Sequence, residues 1–483
     1  MNKNIKILIL AIIIYFCVFF FFSLMRYYSS KLGDPDVGLF GQSFYTAATY
    51  GKAFVNTFNE GGSHFRQHSS FIFYLILPFY MLYKSVVTLL FIHTLAIALG
   101  AVPVYLIAKE KISESAGLFF AIMYLLFHPV HGANYDPFSE LGFVITPLLF
   151  AFYFLMKRRF FYCWIFLIIT LSAKEDMSFI VMAFGLYGAY LSISEMLKVT
   201  PFKFTVNKLF INSACMVLAG AVYIYLALYV IIPHFAGGHA YGYFSERYGN
   251  LGSSLSEVAA NIFIHPGLVL QSLIIKKKIF AVLEVLLPFG FLSILELPVL
   301  LIALPSMLVN LLSNYEFMYN SGTRYLAPWI PFIVISAIFG MSKMLNSIND
   351  PAARERRFRR LSVFLLVFMI LVSLIIDNTP FRIGFRYPKI DAHQRIILYM
   401  VKEIPPDASV STQVGIYNFL CNRMEAYCGY KEGVEYIMVD STSKWYSEQA
   451  NWDKIMPKVL ARGDYELVDE HDGIQIYRKI NAK

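Results

Sequence analysis

Three adjacent charged residues, Lys174, Glu175 and Asp176, interrupt an apolar stretch in LSAKEDMSF, with no Gly or Pro to make an ordinary loop. An ionisable group in or beside a membrane-spanning run costs roughly 2.5–3.5 kcal/mol on insertion scales, which makes such a group a candidate for function. The triplet could be a cap between helices, with Asp176 at the amino end of the second, where a carboxylate suits the helix dipole. It could instead present a lysine that holds an anion, or balances two carboxylates, at the mouth of a cavity. Asp34 and Asp36 flank Pro35 in a sequence that reads as a turn. They are either a solvated loop or the source of a general base or an oxygen ligand for a divalent cation such as Mg or Mn.

Further polar residues stand beside apolar runs. His64, Arg66 and His68 precede the short helix SSFIFYLILPFYMLY, and NYDPFSEL supplies Asp136 and Glu140. A lone interfacial histidine is commonly a satisfied polar residue, and two acids in a short loop are commonly solvated. Arg324, followed by Tyr325, could fork onto a phosphate or snorkel to lipid headgroups. The sequence has no Gly-rich phosphate loop ending in Lys and Ser/Thr, no zinc-type His and Glu motif and no Cys pair at metal spacing. An ATP-driven pump and a zinc peptidase are therefore poorly supported.

The elements that must position these residues are membrane helices. Of 483 residues, 58% are hydrophobic and 15% charged, with 45 Phe and 33 Tyr, and the mean hydropathy is +0.57. A soluble domain could not cover so much apolar surface. The net charge of +9 comes from short Lys/Arg clusters between apolar runs, a topology signal and not a nucleic-acid stripe. The apolar runs predict about eleven spans, near residues 5–25, 86–108, 115–131, 141–156, 160–173, 177–197, 210–232, 279–293, 295–313, 325–345 and 361–376. The run at 69–83 either spans or lies along the interface. If it lies along the outer surface, the basic loops at 109–111, 157–159, 198–208 and 343–360 share a cytoplasmic side with the amino terminus, and only Lys276, Lys277 and Lys278 disagree. The expected architecture is an all-α polytopic membrane domain, residues 1–376, with interfacial helices in an external loop at 26–85. Residues 377–483 are expected to form a small extracytoplasmic α/β domain: an amphipathic helix at 390–404, strands in ASVSTQ and EYIMVD, and a hairpin around Asp472 and Gly473. Cys17, Cys163 and Cys215 lie in apolar runs, whereas Cys421 and Cys428 are in a polar segment where an extracytoplasmic location would permit a disulfide.

DVGLFGQSFY, HSSFIFYLILPFYMLY, IALGAVPVYLIAKEK, ANYDPFSEL, LSAKEDMSFIVMAFGLY and RYLAPWIPF occur in this order between about residues 30 and 345. The series resembles the domain of unknown function 2079 family of membrane proteins, and that family is similar to the GT-C class of polyprenyl-phosphate-dependent glycosyltransferases. The resemblance implies a first external loop with helices along the membrane, including 69–83, and an acidic base or metal ligand at the position of Asp36. It implies that His68 and the run Lys174, Glu175, Asp176 belong to family motifs. The chain departs from the pattern at Pro137 and Phe138, where phenylalanine and histidine are expected, and at Arg324, where histidine is common.

Together these readings predict an integral protein of the cytoplasmic membrane, in the cell envelope. It would move a sugar from a polyprenyl-phosphate donor to an acceptor on the outer face. Asp36, Glu175 and Asp176 are the expected catalytic residues, with Asp36 also the expected metal ligand. Asp34, His68, Asp136, Glu140, Lys174, Arg324 and Tyr325 would bind substrate. Membrane lipid is the other expected partner and nucleic acid is not. A transporter or lipid flippase, or a non-catalytic scaffold, is the rival class.

Overall fold

The computed structural model describes residues 2–30, 35–58, 61–136, 138–198, 206–237, 244–376, 380–443 and 451–480. Asp34 and Pro137 lie outside these residues. The chain forms two compact units, one of residues 1–19, 68–72 and 93–385, the other of residues 20–67, 73–92 and 386–483. The second unit thus takes the segment just after the first apolar helix as well as the carboxyl-terminal region.

The first unit is helical. Among the described residues six helices are long and apolar enough to cross a bilayer: Lys3–Tyr28, Val86–Lys111, Met177–Met196, Lys208–Phe235, Leu292–Leu312 and Pro351–Ile376. A seventh is available if Glu114–Leu126 and His128–Tyr135, bent by 45°, act as one span. The eleven-span expectation also counted apolar helices that are shorter: Glu140–Met156, Phe160–Leu171 and Ile330–Asn346. With 12 residues, Phe160–Leu171 reaches about 18 Å against a hydrocarbon core of about 30 Å. The run 279–293 is not one helix. The helix Lys276–Leu286 stops and only 3-10 turns follow, because Gly290 and Phe291 both adopt φ 57, a left-handed conformation that ends an α-helix.

Proline chemistry explains two irregularities. Pro129 has no N–H for the carbonyl of Leu125, four residues back, so the helix bends between Leu126 and His128. The freed Leu125 carbonyl is taken by His131 Nε2 at 2.7 Å. In Lys208–Phe235, Pro233 lies just after a π-helical stretch, Ala227–Ile231, the wide turn that accommodates a missing backbone donor.

In the second unit the helix Asp36–Tyr50 packs on the helix Val414–Leu420 with almost no gap. A Cβ on Gly38 would meet the Tyr417 ring at 2.5 Å, and one on Gly41 would meet Cys421 Sγ at 2.7 Å. Gly38 N donates to Asn418 Oδ1 at 2.7 Å, and Tyr417 Oη donates to Gln42 Oε1 at 2.9 Å. The carboxyl-terminal region is α/β as expected. Its five-stranded sheet runs in the order Ala426–Cys428, Val410–Thr412, Tyr436–Asp440, Ile474–Lys479, Tyr465–His471. The first three strands are parallel and the last two join antiparallel. Asp472 and Gly473, at φ 51 and 77, make the two-residue hairpin that the Asp-Gly pair favours. Ile437, Val439, Trp452, Met456 and Tyr477 fill the core beneath it. Neither Cys421 nor Cys428 is in a disulfide. Cys421 is buried against Gly41 and Cys428 sits on a strand paired to Thr412, and the disulfide that an extracytoplasmic location would permit is not formed.

Candidate functional site

The helix Phe160–Leu171 ends at Ser172 and the next begins at Met177. Two backbone bonds, Met177 N to the Lys174 carbonyl at 3.1 Å and Ser178 N to the Glu175 carbonyl at 3.2 Å, tighten the link into turns. No Gly is needed because the backbone stays right-handed. Residues 68–72 lie against this turn, with Ile72 N donating to the Ser172 carbonyl at 2.7 Å.

Glu175 clamps the two segments. One carboxylate oxygen, Oε1, is 2.9 Å from His68 Nδ1 and the other accepts from Ser69 N at 3.1 Å. An ionised carboxylate only accepts, so the proton between them sits on Nδ1. Tyr223 Oη donates to the Ser69 carbonyl at 3.1 Å and holds the segment from the other side. Glu175 is 5% exposed. Burial alone would raise its pKa, but His68 and Lys174 outweigh burial and bring it down to about 2. Glu175 is therefore an ionised anchor across the physiological range.

Its neighbours are not satisfied in the same way. Lys174 is 6% exposed and makes no hydrogen bond or ion pair among the described residues. Burial favours its neutral form, yet the attraction of Asp176, Glu175 and Glu140 prevails and keeps the pKa above the ordinary lysine value. Asp176 occupies the cap position of Met177–Met196 without capping it, and its Oδ1 is enclosed with no hydrogen-bond partner. Burial raises its pKa, with Glu175 and Glu140 adding to the effect against Lys174 and His68. Asp176 thus stands at the amino end of that helix, where a carboxylate suits the dipole, without a side-chain bond to the helix. Glu140, 5% exposed, has Ser139 Oγ at 3.5 Å as its hydrogen-bond partner among the described residues. Arg247 adds a second positive charge within electrostatic range of Lys174.

A second polar group forms at the bent helix. Asp136, just past Tyr135, accepts from Arg324 N at 3.1 Å and lies 3.5 Å from Arg324 Nη1. The guanidinium expected to meet a phosphate thus also ties two loops together. Tyr325 gives its carbonyl to Asn310 Nδ2 at 2.8 Å. Asn134 is 2% exposed with both amide atoms unpartnered, and His93, 1% exposed, has an unpartnered Nε2. The His93 ring packs on Phe138 and Phe143, and a Cβ at Gly142 would come within 2.0 Å of Nε2.

Asp36 belongs to the other unit, in the first turn of Asp36–Tyr50 and half-buried. His64 is a core histidine, its ring 4.8 Å from Phe73 and 5.5 Å from Phe40. Among the described residues no three His, Cys, Asp or Glu side chains gather as a metal set. Of the expected residues, the fold brings His68, Lys174, Glu175, Asp176 and Glu140 into one electrostatic cluster and pairs Asp136 with Arg324. Arg247, Tyr223, Asn134 and His93 were not singled out by sequence. His93 alone carried a signal, an ionisable residue inside an apolar run.

The chain belongs to the family of predicted membrane proteins known as DUF2079, whose profile matches residues 26–476. No curated protein sequence matches it. Its fold is similar to that of ArnT from Cupriavidus metallidurans, a GT-C glycosyltransferase. With the form bound to undecaprenyl phosphate the TM-score is 0.54 at 11% identity, covering 96% of this chain and 98% of that one. With the apo form the TM-score is 0.52 at 11% identity, covering 92% and 93%.

Proposed function

We propose that the protein is a membrane glycosyltransferase that moves a sugar from a polyprenyl-phosphate donor to an acceptor on the outer face of the cytoplasmic membrane. The observation that carries this reading is the fold shared over almost the whole chain with an enzyme that binds undecaprenyl phosphate. The cluster of buried ionisable groups around Lys174 supports it, because a protein kept only for structure has no reason to leave such groups unpaired.

In this reading Asp36 accepts the proton of the acceptor hydroxyl as its oxygen attacks the anomeric carbon. The bond from that carbon to the phosphate oxygen breaks, and polyprenyl phosphate leaves with the bonding pair. Arg324 and Lys174 supply the positive charge of the substrate-binding surface. Among the described residues Asp36 is not in a group of three His, Cys, Asp or Glu side chains, which does not fit a Mg or Mn site.

The test is release of polyprenyl phosphate from a panel of labelled polyprenyl-phosphoryl sugars by the reconstituted protein, with and without EDTA. Asp36→Asn is expected to lower turnover by roughly 100-fold or more, the scale of general-base catalysis. Undiminished turnover removes Asp36 from that role. No release with any donor, alongside transbilayer movement of the lipid, replaces the enzyme reading with a flippase.

A further inference from the structure

Lys174 and Asp176 are the unsatisfied members of the charged cluster. Lys174, 6% exposed, has three N–H donors with no hydrogen-bond partner among the described residues, and Asp176 Oδ1 is an enclosed acceptor without one. A buried polar group without a partner is costly, and more so when charged. Two such groups of opposite hydrogen-bonding character, two residues apart on one tight turn, mark a place where a ligand completes the bonding. Glu175 differs, since each of its oxygens already has a partner, His68 and Ser69.

The surrounding charge decides what kind of ligand fits. Glu140, Glu175 and Asp176 all act on or beside Lys174, opposed by Lys174 itself, Arg247 and the His68 ring. A phosphate placed on Lys174 would bring further negative charge against three carboxylates. A hydroxyl brings none, and it can accept from an ammonium while donating to a carboxylate. Two neighbouring hydroxyls on a ring offer both roles.

We propose that Lys174 and Asp176 bind the hydroxyls of a sugar ring and not the phosphate of the lipid carrier. This rests on the glycosyltransferase reading and changes the role of Lys174 within it. The sugar has two sources, the unit carried by the donor or the terminal unit of the acceptor.

The experiment measures binding by titration calorimetry on the full chain in nanodiscs, independent of turnover. Three probe types are used: citronellyl phosphate, citronellyl-phosphoryl glucose, galactose or mannose, and the corresponding methyl glycosides. Lys174→Met and Asp176→Asn are each expected to weaken a sugar-bearing probe by roughly tenfold or more, the worth of one charge-assisted bond, and to leave citronellyl phosphate unchanged. Loss confined to the phosphoryl sugar assigns the site to the donor, and loss confined to the methyl glycoside assigns it to the acceptor. Lys174→Arg, which keeps the charge that balances the carboxylates, serves as the folded control and is expected to lose the sugar too. Parallel weakening of citronellyl phosphate, or sugar binding indifferent to all three variants, overturns the proposal. Failure of the transferase reading shows separately, as wild-type protein that releases no polyprenyl phosphate.

Discussion

Replacing Glu175 by Gln probes the clamp that joins residues 68–72 to the charged turn. The carboxylate accepts from His68 Nδ1 at 2.9 Å and Ser69 N at 3.1 Å, while a carboxamide of the same shape has one oxygen and one NH2. Either one donor then faces another donor or His68 moves its proton to Nε2 to accept from the NH2, and in both cases the bond to a charged acceptor is lost. Losing a hydrogen bond to a charged group costs about 1.5–3 kcal/mol. Since about 1.4 kcal/mol is a factor of ten, local opening should become roughly 10- to 100-fold more frequent. Hydrogen exchange followed by mass spectrometry on the peptide containing residues 68–72 reads this directly, with the helix Met177–Met196 as internal reference. The wild-type clamp should hold at neutral pH and weaken only in strong acid. The Glu175 pKa is depressed to about 2, so its stabilisation is present above the ordinary glutamate value and is lost as pH falls through the depressed one. Unchanged exchange at 68–72 in Glu175→Gln would refute the clamp.

Three other outcomes are expected. Gly142→Ala should cost about 1–3 kcal/mol by overpacking, since its Cβ would fall 2.0 Å from His93 Nε2; thermal melting in detergent reads the loss, and His93→Ala should recover part of it. His393 lies between Asp472 at 2.8 Å and Asp440 at 3.0 Å; burial lowers its pKa but the two carboxylates raise it further, for a net upward shift. Its stabilisation is therefore full below the ordinary histidine value and lost as pH rises through the raised one, so exchange protection of residues 436–440 and 474–479, corrected for intrinsic rate, should be greater at low than at high pH. Equal protection in wild type and His393→Gln across that range would sink the assignment. Finally, none of the five cysteines is in a disulfide, so alkylation of unfolded, unreduced protein should modify every one; a resistant pair would disprove it.

Much of the fold was legible because its period and composition are local. Apolar runs marked the helices, and Asp472-Gly473 marked the hairpin, since only two residues with positive φ close such a turn. Irregular spans were less legible. The break at Gly290 and Phe291 and the bend at Pro129 turn on backbone conformations and freed carbonyls that a hydropathy run does not reveal.

The candidate site divides along the same line. The sequence by itself determined that Lys174, Glu175 and Asp176 are unusual, because charge between apolar runs is expensive wherever the chain goes. Their separate states came from tertiary structure alone. His68, 107 positions away in the chain, and Ser69 bond Glu175, while Lys174 is buried and Asp176 keeps an enclosed Oδ1 with no hydrogen-bond partner. Hydrogen bonds between distant segments distribute partners among adjacent residues, and adjacency in sequence carries no information about that distribution.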